Sequence, residues 1–254
     1  MKYRSSLALL SVLLALSVVS SAGRAGPVRK KIAINAGKII TISGADIQNG
    51  TIPPGTHVQV NNVVVTAGPY EFTSTGAYCF VEERAGGMYS GIEVYWGSGQ
   101  ADIYGSLQRG CLVRITGVTG EYYDMTEIDI SAPGDTLVVV GEAPVPGPDL
   151  VTTAGMMAEE WEGVLIQTPC AVVTDPDLGY GEWEIDDGSG PGRVDDKGQI
   201  TYTPVLGDCN IYTGILAYTY GNYKLWPRDD NDIVGCGPSA NEPTQWGSIK
   251  ALYR

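Results

Sequence analysis

Residues 57–67 read HVQVNNVVVTA, and this stretch decides the fold class of the chain. Its first half alternates apolar and polar residues, and its second half is almost continuously apolar. Alternation with a period of two is typical of a β-strand with one buried face, whereas a short apolar run indicates burial on both faces. The combination predicts a long, bent strand in a closed barrel.

Four more short strands are predicted in the first half, each bounded by turn residues. AYCFVE (77–82) and SGIEVYW (90–96) flank the turn Ala85-Gly86-Gly87, and LVRITG (112–117) and TEIDI (126–130) complete a set of five. The chain has 34 Gly, 15 Pro and 15 Tyr and no long helical pattern of apolar residues, so we expect an all-β protein.

The second half repeats this order. EGVLIQTPCAVVT (162–174) is predicted as its long first strand, and the others are predicted at 181–186, 193–195, 211–218 and 224–226. Aligning Thr116-Gly117 with Thr213-Gly214 places Gly110 on Gly207, an offset of 97 residues. We interpret the two halves as a duplication.

The duplication sets the predicted domain boundaries. We place a first barrel at 46–141, a linker at 142–158, a second barrel at 159–236 and a C-terminal tail at 237–254. The linker begins EAPVPGPD, and its three prolines predict a stiff, extended spacer. About 230 residues suffice for two small domains.

Residues 1–22 have the pattern of a cleaved signal peptide. Lys2 and Arg4 precede an apolar run at 7–19, and small residues follow at 20–22. A membrane span needs about 20 apolar residues, so we expect bacterial-type export to the extracellular space or cell surface and no membrane span. Cleavage after Ala25 and a buried N-terminal helix are the alternatives.

Two sets of segments resemble the OB-fold modules of secreted bacterial proteins, which often lie beside extracellular nucleases. The first set is 46–50, 54–56, 63–67, 89–92 and 120–123, and the second is 161–165, 179–183, 186–190 and 221–228. The resemblance covers residues 46–236 and implies a five-stranded, OB-like Greek-key barrel for each half, in tandem. It implies no reaction, because fold does not give function and the nuclease portion is missing.

The charge of the chain argues against nucleic acid as a partner. The formal charge is −13, and removal of residues 1–22 leaves 14 bases against 29 acids, a charge of −15. Such a field repels polyanions. Five of the remaining bases crowd the new N-terminus, at positions 24, 29, 30, 31 and 38. This asymmetry fits head-to-body association between copies as well as it fits a foreign ligand.

Aromatic residues lie on the strands that OB folds present to ligands. Those predicted on this ligand face are Tyr78, Tyr95, Trp96 and Trp183. Aromatic rings in such a groove stack bases at about 1–3 kcal/mol each. The alternative is that half of them point into the core and the others are ordinary surface residues, and the scarcity of nearby bases favours it.

Carboxylates are concentrated in the second half. A calcium ion takes 6–8 oxygen ligands, and Asp175, Asp177, Asp186 and Asp187 on glycine-bearing loops are the candidate ligands. Acidic loops that only aid solubility are the alternative. Paired acids also serve glycosidases, and His57 is the one histidine available to a Ser-His-Asp hydrolase. We expect neither enzyme.

Five cysteines in an exported chain indicate disulfides rather than a metal site. By the strand order of the OB fold, Cys170 and Cys209 lie on neighbouring strands, while Cys209 with Cys236 is the rival pair. Cys79 with Cys111 is the expected pair of the first barrel. The odd number leaves one thiol free or paired between molecules.

Strand patterning also extends outside the barrels. Residues 23–45 are predicted as an extended N-terminal β arm, and an unpaired strand invites pairing with another chain. Head-to-tail pairing of this kind produces filaments. The alternative is an arm that folds back on its own barrel. The residues proposed for assembly are Ile32, Ile34, Ile40 and Ile42 in the arm, and Trp246 and Tyr253 in the tail.

These observations leave two hypotheses for the function. The first is a non-catalytic extracellular structural protein, a homo-oligomer or polymer that assembles by strand addition into a filament or surface layer. The second is an extracellular OB-fold binding module for single-stranded nucleic acid or glycan.

Overall fold

The computed structural model describes residues 40–72, 76–97, 103 and 105–236. The described first half forms one β-sheet and a short helix, α1 (Gly44–Gln48), whose N-terminus Ser43 caps by accepting a hydrogen bond from the Asp46 amide at 3.2 Å. Its strands are β1 (Ile40–Ile42), β2 (His57–Phe72), β3 (Gly76–Glu83), β4 (Gly91–Gly97), β5 (Cys111–Tyr122), β6 (Met125–Asp129) and β7 (Thr136–Glu142).

The strand order defines the first barrel. The sheet runs β2-β3-β4-β6-β5, and β5 pairs back onto β2 to close it. All of these pairings are antiparallel except that between β4 and β6, which is parallel. This is the closed, five-stranded Greek-key barrel of the OB fold. Its core is built from the inward-facing apolar residues of all five strands, Val58, Val94 and Ile128 among them.

The second barrel has the same order. Its strands are β8 (Asp149–Leu150), β9 (Leu165–Gln167), β10 (Ala171–Gly179), β11 (Glu182–Asp186), β12 (Pro191–Asp195), β13 (Cys209–Thr219), β14 (Asn222–Trp226) and β15 (Ile233–Gly235). The barrel runs β10-β11-β12-β14-β13 and closes by pairing of β13 with β10. The β12–β14 pairing is again parallel. The chain is therefore all-β, with two OB-like barrels in tandem.

Backbone hydrogen bonds show that the two barrels are structurally equivalent at the predicted offset. Gly110 and Gly207 both have positive φ, at 91° and 88°. The Gly110 amide donates to the Val65 carbonyl at 2.9 Å, and the Gly207 amide donates to the Val173 carbonyl at 3.0 Å. Each glycine thus ties the turn before the fourth barrel strand to the first strand, at equivalent places in the two barrels.

Two elements differ from the sequence prediction. The long strand predicted at 162–174 is divided into β9 and β10, with Pro169, which has no amide hydrogen for a ladder, in the interruption. The predicted spacer at 142–158 is packed against the second barrel. Val151 and Met156 lie in its core, and β8 pairs in parallel with β9.

The described end of the N-terminal arm pairs within its own molecule. β1 forms a parallel ladder with β2, from Ile40 opposite Val58 to Ile42 opposite Val60, and Ile42 packs against the first core. The expectation that Ile40 and Ile42 lack a partner in their own barrel is therefore wrong. Ile32, Ile34, Trp246, Tyr253 and the predicted signal peptide lie outside the described residues.

Candidate ligand-binding site

The aromatic residues predicted on the ligand face are buried, so that prediction is wrong. Trp96 and Trp183, each 1% exposed, lie in the cores of the two barrels. Tyr78 and Tyr95 point outward from the first barrel but pack against the second. β3 and β4 are therefore covered on both sides, and nearly every residue of the two strands is buried.

An apolar interface joins the barrels through this face. The second barrel covers it with the outer sides of β9, β13 and β14. The buried residues of the interface are Ala67, Tyr78, Phe80, Tyr95, Met125, Leu165, Ile215, Ala217 and Trp226. Phe80 and Trp226 meet edge to face at 5.9 Å between ring centroids, a favoured geometry for aromatic pairs. The OB ligand face of the first barrel is thus unavailable to a ligand.

Two fully buried glutamates bridge the barrels at this interface. Glu82 accepts hydrogen bonds from the Leu165 amide and the Ser90 hydroxyl, both at 3.1 Å. Glu162 accepts from the Thr126 amide at 2.8 Å and from the Gln48 side chain at 3.0 Å. Burial raises the pKa of Glu82 to about 7 and that of Glu162 to about 8.

The exposed aromatic surface lies instead at two hairpin tips. Tyr123 is at the β5–β6 turn and Tyr220 at the β13–β14 turn, and the 97-residue offset relates the two positions. Their rings stack at 6.3 Å between centroids, with 28° between planes. They are 43% and 88% exposed. The turn between the fourth and fifth barrel strands belongs to the ligand-binding region of OB folds.

Both tips hold tyrosine in a backbone conformation that it rarely adopts. The φ angles are 55° at Tyr123 and 53° at Tyr220. A non-glycine residue in this region costs of the order of 1–3 kcal/mol, and such residues cluster at functional sites. The two-residue hairpin turn requires the positive φ, and here it presents an aromatic ring rather than a glycine to solvent.

A pocket of about 280 Å³ lies next to the first tip. Its walls come from α1, the loop after it, the β5–β6 hairpin and the 3-10 turn at Glu159–Trp161. The walls include the apolar side chains of Ile47 and Ile52 and the carboxylates of Glu121 and Glu159. Gln48 also lines the pocket, and its side-chain oxygen is buried without a hydrogen-bond partner.

Each of the two pocket carboxylates accepts a hydrogen bond from a neighbouring hydroxyl. Glu121 accepts a hydrogen bond from the Thr126 hydroxyl at 3.0 Å, and Glu159 accepts one from the Tyr223 hydroxyl at 2.6 Å. Desolvation raises the pKa of Glu121, and the charge of Glu159 raises it further. Within the described ranges, neither these two carboxylates nor Glu162 forms an ion pair with a basic side chain. The pocket therefore offers hydrogen-bond acceptors and uncompensated negative charge.

Most basic side chains of the barrels are already paired. Arg109 contacts Asp229 at 2.6 Å, and Arg228 contacts Asp232 at 2.8 Å while donating to the Thr66 carbonyl across the interface. The outer side of the second barrel carries a further network. In it the buried Lys224 contacts Glu182 and Asp195, Arg193 contacts Glu182, and Lys197 lies near Asp195. These cations are consequently not available to a polyanion.

The four aspartates proposed for calcium do not converge on one point. Asp175 and Asp177 accept from the backbone amides of residues 177 and 179, and Asp186 accepts from those of residues 188 and 190. Asp187 accepts from Thr153 and from the Ser189 amide. In the described part of the chain, one group of three metal-ligating side chains converges. It consists of Cys170, Cys209 and Cys236.

The cysteine pairing also differs from the prediction. Cys170 forms a disulfide with Cys236, whereas the prediction paired Cys209 with one of these two residues. Cys79 and Cys111 are free thiols in the first core, and burial raises the pKa of Cys79 far above its usual value. All three cysteines of the second barrel lie close together, because the starts of β10 and β13 and the end of β15 meet.

The lone histidine has a structural partner. His57 contacts the buried carboxylate of Asp135 at 2.6 Å, which ties the start of β2 to the turn before β7. Among the described residues, Asp135 is the side-chain hydrogen-bond partner of His57.

No helix in the described ranges is long and apolar enough to span a membrane. No protein-family model and no curated protein matches the chain. Among solved structures, the chain is similar to the Ifi202 HINa domain in complex with 20bp dsDNA, with 15% sequence identity and a TM-score of 0.35. The match covers 66% of this chain and 90% of that domain. A likeness of this size gives no information about a ligand.

Proposed function

We propose that this protein is a secreted, non-catalytic glycan-binding module whose two OB-like barrels act as one body. The observation that carries the proposal is the pair of stacked, solvent-exposed tyrosines, Tyr123 and Tyr220, near a pocket lined by carboxylates and by the unpartnered side-chain oxygen of Gln48. Each barrel contributes one tyrosine, so the duplication itself builds the surface.

The chemistry of the surface fits a sugar. An aromatic face packs against the apolar C–H side of a sugar ring, while carboxylate and amide oxygens accept hydrogen bonds from its hydroxyls. OB folds bind oligosaccharides through the loop that carries Tyr123. The pocket is slightly smaller than the roughly 300–1,000 Å³ of drug-sized sites, which suits a single sugar ring at the end of a chain.

Charge selects between the two ligand classes of the binding hypothesis. A nucleic-acid site needs basic side chains to neutralise phosphates. The described arginines and lysines of the barrels are mostly paired with carboxylates, and the pocket itself is acidic. Among sugars, the same charge favours those with free amino groups.

The filament hypothesis has no support among the described residues. Its premise is a strand that must find a partner on another molecule, but Ile40–Ile42 is paired with β2 of the same molecule.

Calorimetric titration of the full chain tests the proposal. The probes are glucosamine oligomers with free amines, their N-acetylated counterparts and a single-stranded oligonucleotide. We expect the free-amine oligomers to bind best and the oligonucleotide not to bind. Tyr220→Ala and Tyr123→Ala should each weaken binding about tenfold, since an aromatic contact contributes about 0.5–1.5 kcal/mol and tenfold is about 1.4 kcal/mol.

Tyr180→Ala is the matched control. Tyr180 also occupies a tight hairpin turn with positive φ (59°) and is 95% exposed, but within the described residues it has no ring contact with either tip. This variant should bind like the wild type. Salt-sensitive binding of the oligonucleotide, or equal affinity for glycans in all three variants, would contradict the proposal.

A further inference from the structure

The three cysteines of the second barrel form a cluster outside the glycan surface. Cys170 lies just before β10, Cys209 begins β13 and Cys236 follows β15. Their sulfur atoms all lie within 4.8 Å of one another. Cys170 is bonded to Cys236, and the free Cys209 sulfur is 2.8 Å from that of Cys170.

The backbone allows more than one pairing in this cluster. β13 and β15 are antiparallel with Asn210 opposite Gly235, so the next pair along the ladder is Cys209 opposite Cys236. The Cys236 amide donates to the Cys209 carbonyl at 2.9 Å. Directly opposed residues of such a pair have Cα atoms about 5.5 Å apart, within the range of about 4.4–6.8 Å that disulfides span.

We propose that Cys170, Cys209 and Cys236 form a thiol–disulfide exchange centre at which the protein is modified by a small external disulfide. The Cys209 thiolate attacks the Cys170 sulfur, a new bond forms between them, and Cys236 leaves as the thiolate with the bonding electron pair. The Cys236 thiolate then attacks the Cys209 sulfur, which releases Cys170 as the thiolate. Neither exchange changes the redox state of the chain.

The exchange matters because the three positions differ in exposure. Cys170 is exposed, whereas Cys209 and Cys236 are partly buried. Once the exchange has left Cys170 as the thiolate, Cys170 attacks the external disulfide. A mixed disulfide forms and one small thiolate is released, so the external compound is the oxidant. An oxidising, extracellular setting supplies compounds of this class.

The experiment uses the full chain and cystine as the probe. The native protein is incubated with cystine, quenched with acid and mapped by peptide mass spectrometry. We expect a single cysteine adduct in the cluster, located at Cys170 or Cys236, with the remaining two cysteines bonded. Cys79 and Cys111, which are buried in the first core, should stay unmodified and serve as internal controls for native folding.

Two variants isolate the exchange. Cys209→Ser removes the attacking thiol, and Cys236→Ser leaves Cys170 and Cys209 to pair with each other, so each should lose the adduct completely. An adduct found at Cys209 alone with the bond between Cys170 and Cys236 intact would overturn the proposal. So would the absence of any adduct in the wild type, or an adduct retained in the cluster of Cys209→Ser.

Discussion

Glu82 and Glu162 are carboxylates placed where charge is costly. Both are fully buried between the barrels, and their hydrogen-bond donors are amides and a hydroxyl rather than basic side chains. Their raised pKa values, about 7 and about 8, mean that the folded protein holds protons that the unfolded chain releases near pH 4.5.

The stability of the protein should therefore fall as the pH rises from about 5 to about 8. In this window the native state binds more protons than the unfolded state, and each carboxyl contributes a slope of up to about 1.4 kcal/mol per pH unit. Glu162→Gln should flatten the dependence and stabilise the protein at pH 8, because its amide oxygen still accepts from Thr126. Denaturant unfolding at several pH values measures this.

The exposed Glu142→Gln variant is the control and should keep the wild-type slope. A free energy of unfolding that does not change between pH 5 and pH 8 would contradict the ionisation behaviour assigned to the two buried carboxyls.

The residues of the candidate site were only partly predictable. The sequence places Tyr123 and Tyr220 at equivalent positions of a duplication, and Tyr-Asp and Tyr-Gly between two strands indicate hairpin tips. The sequence therefore contains the signal that places each tyrosine at a hairpin tip. The meeting of the two rings was not, because it depends on how one barrel packs on the other, and the same packing buries Tyr78 and Tyr95.

At the scale of elements, one close approach fixes β4 against the segment that precedes β9. Gly91 and Gly163 lie backbone to backbone, so that a Cβ atom on Gly91 would overlap the Gly163 carbonyl. Gly163 also has a positive φ of 77°. Glycine at both positions is what allows the barrels to approach here.

Gly91→Ala should destabilise the protein by about 1–3 kcal/mol, the usual cost of overpacking. Gly141→Ala in β7, where an added Cβ meets no atom within 4 Å, should leave stability nearly unchanged. Equilibrium denaturation of the two variants compares them directly. Equal stabilities would show that the contact between Gly91 and Gly163 is not needed for the fold.

The sequence pattern located the barrel strands better than their neighbours. Alternation and turn residues predict nine of the ten barrel strands, because each has one face on its own core. The first strand of the second barrel was predicted at 162–174, whereas β10 spans Ala171–Gly179. β1, β7, β8 and β15 were missed or left without partners, since they are short or pair outside the five-strand barrel. Their pairing depends on tertiary contacts, which local pattern does not encode.

At the scale of the molecule, the interface is built like a domain core. Apart from the two buried glutamates, its buried residues are apolar, and polar contacts such as Arg109 with Asp229 and the Gly87 amide with Asp149 surround them. Interfaces that are large and hydrophobic hold domains in a fixed arrangement. The two barrels should accordingly unfold together.

Scanning calorimetry of the wild type should show one transition. Phe80→Ala should lower stability by about 3–5 kcal/mol, as for other buried aromatic truncations, and split the transition into two. Phe80→Leu, which retains most of the apolar volume, should keep a single transition. Two transitions in the wild type would mean that the barrels are energetically independent.

The covered face of the first barrel also has an evolutionary consequence. On the duplication hypothesis, a surface that a solitary barrel leaves to solvent became an internal contact of the pair. Because the rings of Phe80 and Trp226 are in contact, the side chain at either position limits which side chains fit at the other. Across homologous sequences, these two positions should change together, and neither half should occur as a separate gene product without polar replacements on this face.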